Sequence, residues 1–240
     1  AKNIGVVFGQ RTQLWWDLPL SETYSILKEV YSVSNEDFKT RMDFLNEVLG
    51  LPEFIHNSVR TLSLGQRMRA DLAAALLHNP KVLYLDEPTI GLDLVVKDKI
   101  REAIKEINKS YNTTVLLTTH DLGDIEELCN RIMIIDKGSL IYDGTIKDIK
   151  ETYGTTRKVS IDVKDINKVM EFDYQKKYLL DSNDFSVSNN SNTIEFVFNK
   201  NKLAVSDIIG KVMDLSVVSD IKIHETEISE IVKQIYKNGM

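Results

Sequence analysis

The sequence predicts an α/β protein: a largely parallel sheet with helices on both faces over residues 1–154, then a small α+β domain over residues 155–240. Two observations carry this. Short continuous apolar runs at Ile4–Phe8, Val82–Leu85 and Thr114–Thr119 alternate with helix-like stretches, as strands buried on both faces of a parallel sheet do. Past Gly154 the pattern becomes polar–apolar alternation, in "KVSIDV", "FSVSNN" and "TIEFVF", as in half-exposed antiparallel strands.

The elements follow in order. Ile4 to Phe8 reads as a short buried strand ending at Gly9-Gln10. "PLSETYSILKEVY" opens a helix with Ser21 as its N-cap. "SNEDFKTRMDFLNEVLG" is a second helix: Ser34 caps it, Asp37 sits at the capping-box position, and Phe38, Met42, Leu45, Val48 and Leu49 form one apolar face. Gly50 ends it. From Leu62 a turn enters the Ala/Leu-rich helix "RMRADLAAALLHN", closed by Asn79-Pro80. Val82–Leu85 is a strand, "LVVKDKIREAIKEINKS" a helix, and Thr114–Thr119 a strand ending at His120. Asp121 caps the next helix. "RIMIID" and "SLIYDG", split by a Lys137-Gly138 turn, are two more strands, and Asp143-Gly144 fits a turn before a helix from Thr145. In the last domain, strands separated by the turn clusters "DSND" and "NNSN", then a stripe of Ile228, Ile231, Val232 and Ile235 on a final helix, fit a ferredoxin-like strand order.

Composition narrows the function. The 240 residues are 42% hydrophobic and 28% charged, as in ordinary globular chains. A net charge of −6 argues against a surface that coats nucleic acid. The single cysteine, Cys129, cannot build an internal disulfide framework and fits a reducing compartment. No apolar run approaches the roughly 20 residues that span a bilayer. The start, "AKNIGVVFGQ", has no signal-peptide pattern, and a strand beginning at Ile4 suggests a chain that starts inside a domain. His224 is isolated and reads as structural or exposed.

Ligands of parallel α/β sheets sit at the C-terminal ends of strands. Asp86 and Glu87 end one strand, His120 another, and Gln10 a third. An aspartate there can hold the water shell of a Mg²⁺ bridging nucleotide phosphates. A neighbouring glutamate can orient or deprotonate an attacking water. His120 can contact a terminal phosphate, and the Gln10 amide can reach both metal and water. Acidic residues also end strands simply to cap the next turn, and it is His120 one strand later that favours chemistry over capping. In "TLSLGQRMRADLAAALL", Ser63 and Gln66 have capping-box spacing and Gly65 leaves the backbone open to a ligand. The amides of Gly65 and Gln66, with the helix dipole behind them, favour an anion, although a well-capped helix without a ligand reads the same way.

The order "VVFGQ", "LSLGQ", "VLYLDEP", "TIGLD", "TTH" over Ile4–His120 resembles the ATP-binding subunit of ABC transporters, and "FGQRTQLWWDLP" resembles the branch that serves ABC-2 type permeases. The resemblance implies a partial P-loop NTPase (RecA-like) sheet with an ABC helical subdomain over about 11–80 and a looser match in the C-terminal domain. It implies Asp86 as the Walker B aspartate at Mg²⁺, with Gln10 as the Q-loop glutamine reaching the metal and the catalytic site. Glu87 becomes the catalytic base and His120 the switch histidine. Ser63, Gly65 and Gln66 would bind the γ-phosphate of ATP on the opposite subunit, and Asp93 would be the D-loop aspartate coupling the two sites. Leu64 departs from the family, which often has glycine there.

The family also needs G-x-x-x-x-G-K followed by Ser or Thr, upstream of the glutamine loop, to cradle the phosphates. None of the eleven glycines provides it. The expectation is a chain truncated before that loop, inactive and aggregation-prone alone; the alternative is a natural chain that lost the cradle and acts as a binding or regulatory module. The implied partners are an ABC-2 type transmembrane permease and a second ATPase subunit, giving a homodimer at the cytoplasmic face of the membrane without nucleic acid. Family analogy favours export over import. Soluble ABC ATPases of repair or translation remain the other class; the lack of a coiled-coil insertion, of a second cassette and of a basic surface counts against them, the second point less so in a truncated chain. Trp15 and Trp16, beside the glutamine loop, suit contact of one of them with the permease.

Overall fold

The computed structural model describes residues 2–9, 11–224, 226, 228, 230–232 and 235. Gln10, the expected glutamine-loop residue, lies outside them. The chain divides into two compact units, residues 1–129 and 130–240.

In the first unit β1 (Ile4–Phe8), β2 (Val82–Asp86) and β3 (Thr114–Thr118) form a parallel sheet in the order β1-β2-β3. Val7 lies opposite Leu85, and Leu85 opposite Leu117. The β1–β2 connection carries α1 (Leu20–Tyr31), α2 (Asn35–Leu49) and α3 (Leu64–Leu76); the β2–β3 connection carries α4 (Leu94–Tyr111), and α5 (Leu122–Leu128) follows β3. Odd-numbered strand residues Val7, Leu83 and Leu85 are buried with Leu72, Ala73, Ile100 and Ile104. Helix α3 approaches β1 so closely that a Cβ on Gly5 would lie 2.4 Å from the Ala75 carbonyl oxygen, so only glycine fits there.

The cap of α2 is as the sequence predicts, with Ser34 accepting from the Asp37 amide at 3.0 Å and Gly50 closing the helix at φ 58°. The start of α1 differs. Its N-cap is Pro19, not Ser21, and no side chain caps it. The amides of Leu20 and Ser21 donate instead to the carbonyls of Asn57 and Ile55, at 3.2 and 2.9 Å. A tertiary backbone contact thus satisfies donors that a capping hydroxyl would otherwise serve.

In the second unit β4 (Arg131–Asp136) and β5 (Ser139–Thr145) form an antiparallel hairpin. They pair with each other rather than extending the parallel sheet. Two residues, Lys137 and Gly138 at φ 47° and 78°, are too few for a parallel crossover but suit a two-residue hairpin turn. Asp143 and Gly144 lie within β5 instead of forming a turn, paired in the ladder with Met133 and Ile132, and the Asp143 carboxylate takes two hydrogen bonds of 2.7 Å from Arg131 across the hairpin. Thr145 then caps α6 (Ile146–Thr152) in a capping box with Asp148.

Beyond it run β6 (Thr156–Val163), α7 (Ile166–Met170), α8 (Tyr174–Tyr178), β7 (Phe185–Asn190), β8 (Thr193–Asn199), α9 (Val205–Leu215) and β9 (Val218–His224). The sheet order β7-β8-β6-β9, antiparallel throughout, is the ferredoxin-like arrangement. Val159, Ile161, Phe196, Phe198, Ile208 and Val212 build its core. The hairpin and α6 group with this unit, whereas the sequence reading placed them before the boundary at Gly154. Ile228, Ile231 and Ile235 of the expected apolar stripe are buried. Among the described residues, no helix is long and apolar enough to cross a membrane.

Candidate active site

Strand β2 ends in the two carboxylates, and β3 brings their partners alongside. Asp86 lies opposite Thr118, whose hydroxyl donates to its Oδ1 at 2.6 Å. Among the described residues Oδ2 accepts no hydrogen bond, which leaves one oxygen for a ligand at the sheet's C-terminal edge. Glu87 has left the strand: its φ is 51°, in the left-handed region that non-glycine residues rarely adopt. Its amide donates to the Thr118 carbonyl at 3.0 Å and its carbonyl accepts from Ile90 at 3.2 Å, so the main chain is held in the strained turn from both sides.

That turn aims the side chain at His120. His120 Nδ1 stands 2.8 Å from Glu87 Oε1, and the His120 amide 3.4 Å from Oε2. The hydrogen bond to Glu87, and then its charge, raise the imidazole above its ordinary pKa. His120 is 73% exposed and Glu87 28%. With Nδ1 on Glu87, Nε2 is the ring nitrogen left without a hydrogen-bond partner among the described residues.

The chain before Gln10 is pressed against this turn. Gly9 donates to the Asp86 carbonyl at 2.7 Å, and a Cβ at Gly9 would lie 2.2 Å from the Glu87 carbonyl oxygen. Gly9 therefore has to be glycine, and the start of the glutamine loop is fixed beside the two carboxylates.

A network that the sequence did not announce holds His120's loop. Asp124, fully buried, accepts from Thr89 at 2.5 Å, from Thr119 at 3.0 Å and from Arg101 Nε at 2.8 Å. Arg101, nearly buried as well, also reaches Asp121 at 3.2 Å, Asp98 at 3.1 Å and Glu127 at 3.3 Å. Lys97 pairs with Asp121 and holds that carboxyl below its usual range. The only sequence signal was the helical spacing of Lys97 and Arg101 facing the acids of 121–127, which looks like any solvated charged face.

Ser63, Gly65, Gln66 and Asp93 form a second cluster. Ser63 accepts from the Gln66 amide at 3.2 Å and Gln66 Oε1 from the Ser63 amide at 3.0 Å, the predicted capping box. Gly65 is buried, and its missing Cβ would lie 2.7 Å from Val96 Cγ1. The glycine thus admits α4 rather than a ligand, while its amide keeps its place among the N-terminal donors of α3. Asp93 caps α4, accepting from Val96 at 3.0 Å. Leu64 is turned outward, 42% exposed, near the place a Cβ on Gly91 would occupy. Between them lies a pocket of about 210 Å³, which Arg69 and Lys99 also line.

Such an arrangement suits phosphate chemistry: a free carboxylate oxygen for a cation, a carboxylate–imidazole pair, and a helix start with cationic side chains beside it. Comparisons with known proteins agree. Residues 1–90 match the family model described as ABC transporter. The uncharacterised ABC transporter ATP-binding protein YdbJ of Bacillus subtilis is 36% identical over 161 residues, 67% of this chain and 51% of that protein. The linearmycin resistance ATP-binding protein LnrL of B. subtilis is 33% identical over 70% of this chain and 53% of its own length. The methionine import ATP-binding protein MetN of Vibrio cholerae is 35% identical over 62% of this chain and 43% of its own. The chain spans about half the length of the curated relatives it matches first. The structure of cbiO1 from Clostridium perfringens, part of the ABC transporter complex cbiONQ, superposes with a TM-score of 0.56 at 27% identity, over 63% of this chain and 60% of that one. The chain therefore belongs to the ATP-binding domains of ABC transporters, matched to that family over residues 1–90 and to its members over up to 70% of its length.

Proposed function

We propose that the chain is part of an ATP-hydrolysing subunit that pairs with a second copy and drives a separate ABC-2 type permease, exporting its substrate from the cytoplasmic face of the membrane. The observation that carries this is the Glu87–His120 pair, 2.8 Å apart at the end of β2 and β3. Glu87 would take the proton of the attacking water, and His120, oriented through Nδ1, would meet the γ-phosphate with Nε2. Asp86 fits a hydrated Mg²⁺, because Thr118 fixes one carboxylate oxygen and the other has no protein donor among the described residues. Bound with the nucleotide, that ion supplies charge neutralisation on the phosphate oxygens. Gln10 would reach the same water and metal. Ser63, the Gly65 amide and Gln66 would grip the γ-phosphate of ATP held by the second copy, and Asp93 would link the two sites.

Support for the exporter reading comes from the motif order, from "FGQRTQLWWDLP", and from likeness to a protein named for linearmycin resistance. Trp15 and Trp16, 42% and 48% exposed, offer an aromatic surface to the permease. The test is turnover by the full-length subunit assembled with its permease. Glu87→Gln is expected to lower kcat at least about 100-fold, within the range general-base catalysis contributes, while ATP binding persists. Unchanged turnover in that variant would remove Glu87 from the chemistry and with it this reading of the site.

A further inference from the structure

We infer that Asp71 is a positioning residue, which fastens the tryptophan-bearing segment after the glutamine loop to the helix that presents the Ser63–Gln66 cap, so that the two move as one body. This rests on the reading of the chain as an ATPase subunit that engages a permease. Asp71 lies in α3 and is 4% exposed. Its Oδ1 accepts from the Thr12 hydroxyl at 3.0 Å and from the Gln13 amide at 3.2 Å. Thr12 Oγ1 in turn accepts from the Leu14 amide at 3.1 Å, folding the segment around the contact.

One helical turn before Asp71, on the same face of α3, the Arg67 guanidinium lies 4.7 Å from the centre of the Trp16 ring. Helix α3 therefore grips the segment twice, at Thr12-Gln13 and at Trp16. Ser63 is eight residues upstream of Asp71, about 12 Å along the helix at 1.5 Å per residue. A rigid helix of this length carries a displacement at Trp15-Trp16 to its own N-terminus.

The charge itself favours this role. Around Asp71 stand Thr12 and Gln13 from the segment, Arg67 from its own helix and Tyr24 from α1, whose hydroxyl donates to the Ala70 carbonyl at 3.1 Å. Burial pushes the carboxyl up to about 6, so the group is held at a cost in folding energy. An apolar side chain would fill the space without that cost but could not hold Thr12 and the Gln13 amide in register.

Trp15 and Trp16 are the two tryptophans of the chain, so their emission reads the segment directly. Thr12→Val removes the hydrogen bond to Asp71 together with the acceptor of the Leu14 amide, with little change of shape, whereas Asp71→Ala removes only the Asp71 acceptor and Asp71→Asn keeps it. The expected result on the 240-residue chain is red-shifted emission and stronger acrylamide quenching in Thr12→Val and Asp71→Ala. Asp71→Asn should match the parent. In the assembled transporter, Thr12→Val should keep basal ATP turnover but lose roughly fivefold or more of its stimulation by the permease, the lower end of ordinary coupling energies. Unchanged quenching in folded Thr12→Val and Asp71→Ala would overturn the inference, as would full stimulation in an active Thr12→Val transporter. Should Asp71→Ala fail to fold, Thr12→Val decides alone. A parent complex without ATP turnover would sink the proposed function instead, and the quenching comparison would still settle whether Asp71 holds the segment.

Discussion

At the scale of single residues, the site depends on where protons sit. The Glu87 contact raises the His120 pKa, so Glu87→Gln, which removes the negative charge, should return the imidazole to its ordinary range. Ring-proton chemical shifts followed against pH check this, and an unmoved midpoint would mean that the pair does not form in solution. Asp71 behaves in the opposite sense to a salt-bridged carboxylate. Its folded-state pKa of about 6 lies above the ordinary 3.8, so its contribution to stability is fully present below pH 3.8 and is lost as pH rises through 6. Asp71→Asn should therefore stabilise the fold at pH 7 by on the order of 1–3 kcal/mol, the upper end being about two pKa units at 1.36 kcal/mol each. That gain should vanish below pH 4, as urea titrations at several pH values would read. Which residues carry charge was plain in the sequence; which are desolvated was not. Asp86, Glu87 and His120 converge because β2 and β3 are parallel neighbours, in keeping with the parallel sheet that the alternation of strands and helices predicts. The partners of Asp71 lie 58 and 59 positions away in sequence, beyond any local pattern.

At the scale of elements, legibility followed how local the determining contact is. The caps of α2 and α3 are written in four consecutive residues each and could be read. The start of α1 is set by carbonyls of residues 55 and 57 and could not. Strands β4 and β5 were legible as strands, but their separation from the parallel sheet was not, because an apolar run does not name its neighbour. The least legible feature is the buried set that joins α4, α5 and the turn after β2 through Arg101, Asp124 and Thr89. A carboxylate and a guanidinium withdrawn from water are tolerable only together. Arg101→Met should leave Asp124 buried with two hydroxyl donors and no cation, costing about 3–5 kcal/mol. Restoring neutrality with Arg101→Met and Asp124→Asn together should recover part of the loss. Chemical denaturation of the single and double variants tests this, and strictly additive losses would show that the two residues do not interact energetically. Because the same network anchors the loop of His120, the single variant should also weaken the Glu87–His120 contact.

At the scale of the molecule, the parallel sheet has one face packed and one face open in the chain as it stands. Odd-numbered strand residues make the core, whereas Ile4, Phe8, Tyr84 and Leu116 on the even-numbered face are 44%, 51%, 39% and 38% exposed. Tyr84 lies directly opposite Leu116, and Phe8 and Ile4 flank them on the neighbouring strand, so these side chains form one patch rather than scattered contacts. A parallel sheet is ordinarily covered on both faces, and contiguous exposed apolar surface of this kind promotes association. The 240-residue chain should bind a hydrophobic dye such as ANS strongly and scatter light at concentrations where a fully covered α/β domain stays clear. Placing charges in the middle of the patch, with Tyr84→Lys and Leu116→Lys, should suppress both signals at little cost to stability, since neither side chain is buried. The site at the strand ends should be untouched, so His120 should titrate as in the parent. Dye binding and scattering that persist in the double lysine variant would place the adhesive surface elsewhere. The exposed apolar side of the β4–β5 hairpin, with Met133, Ile135 and Leu140, would then be the next face to change.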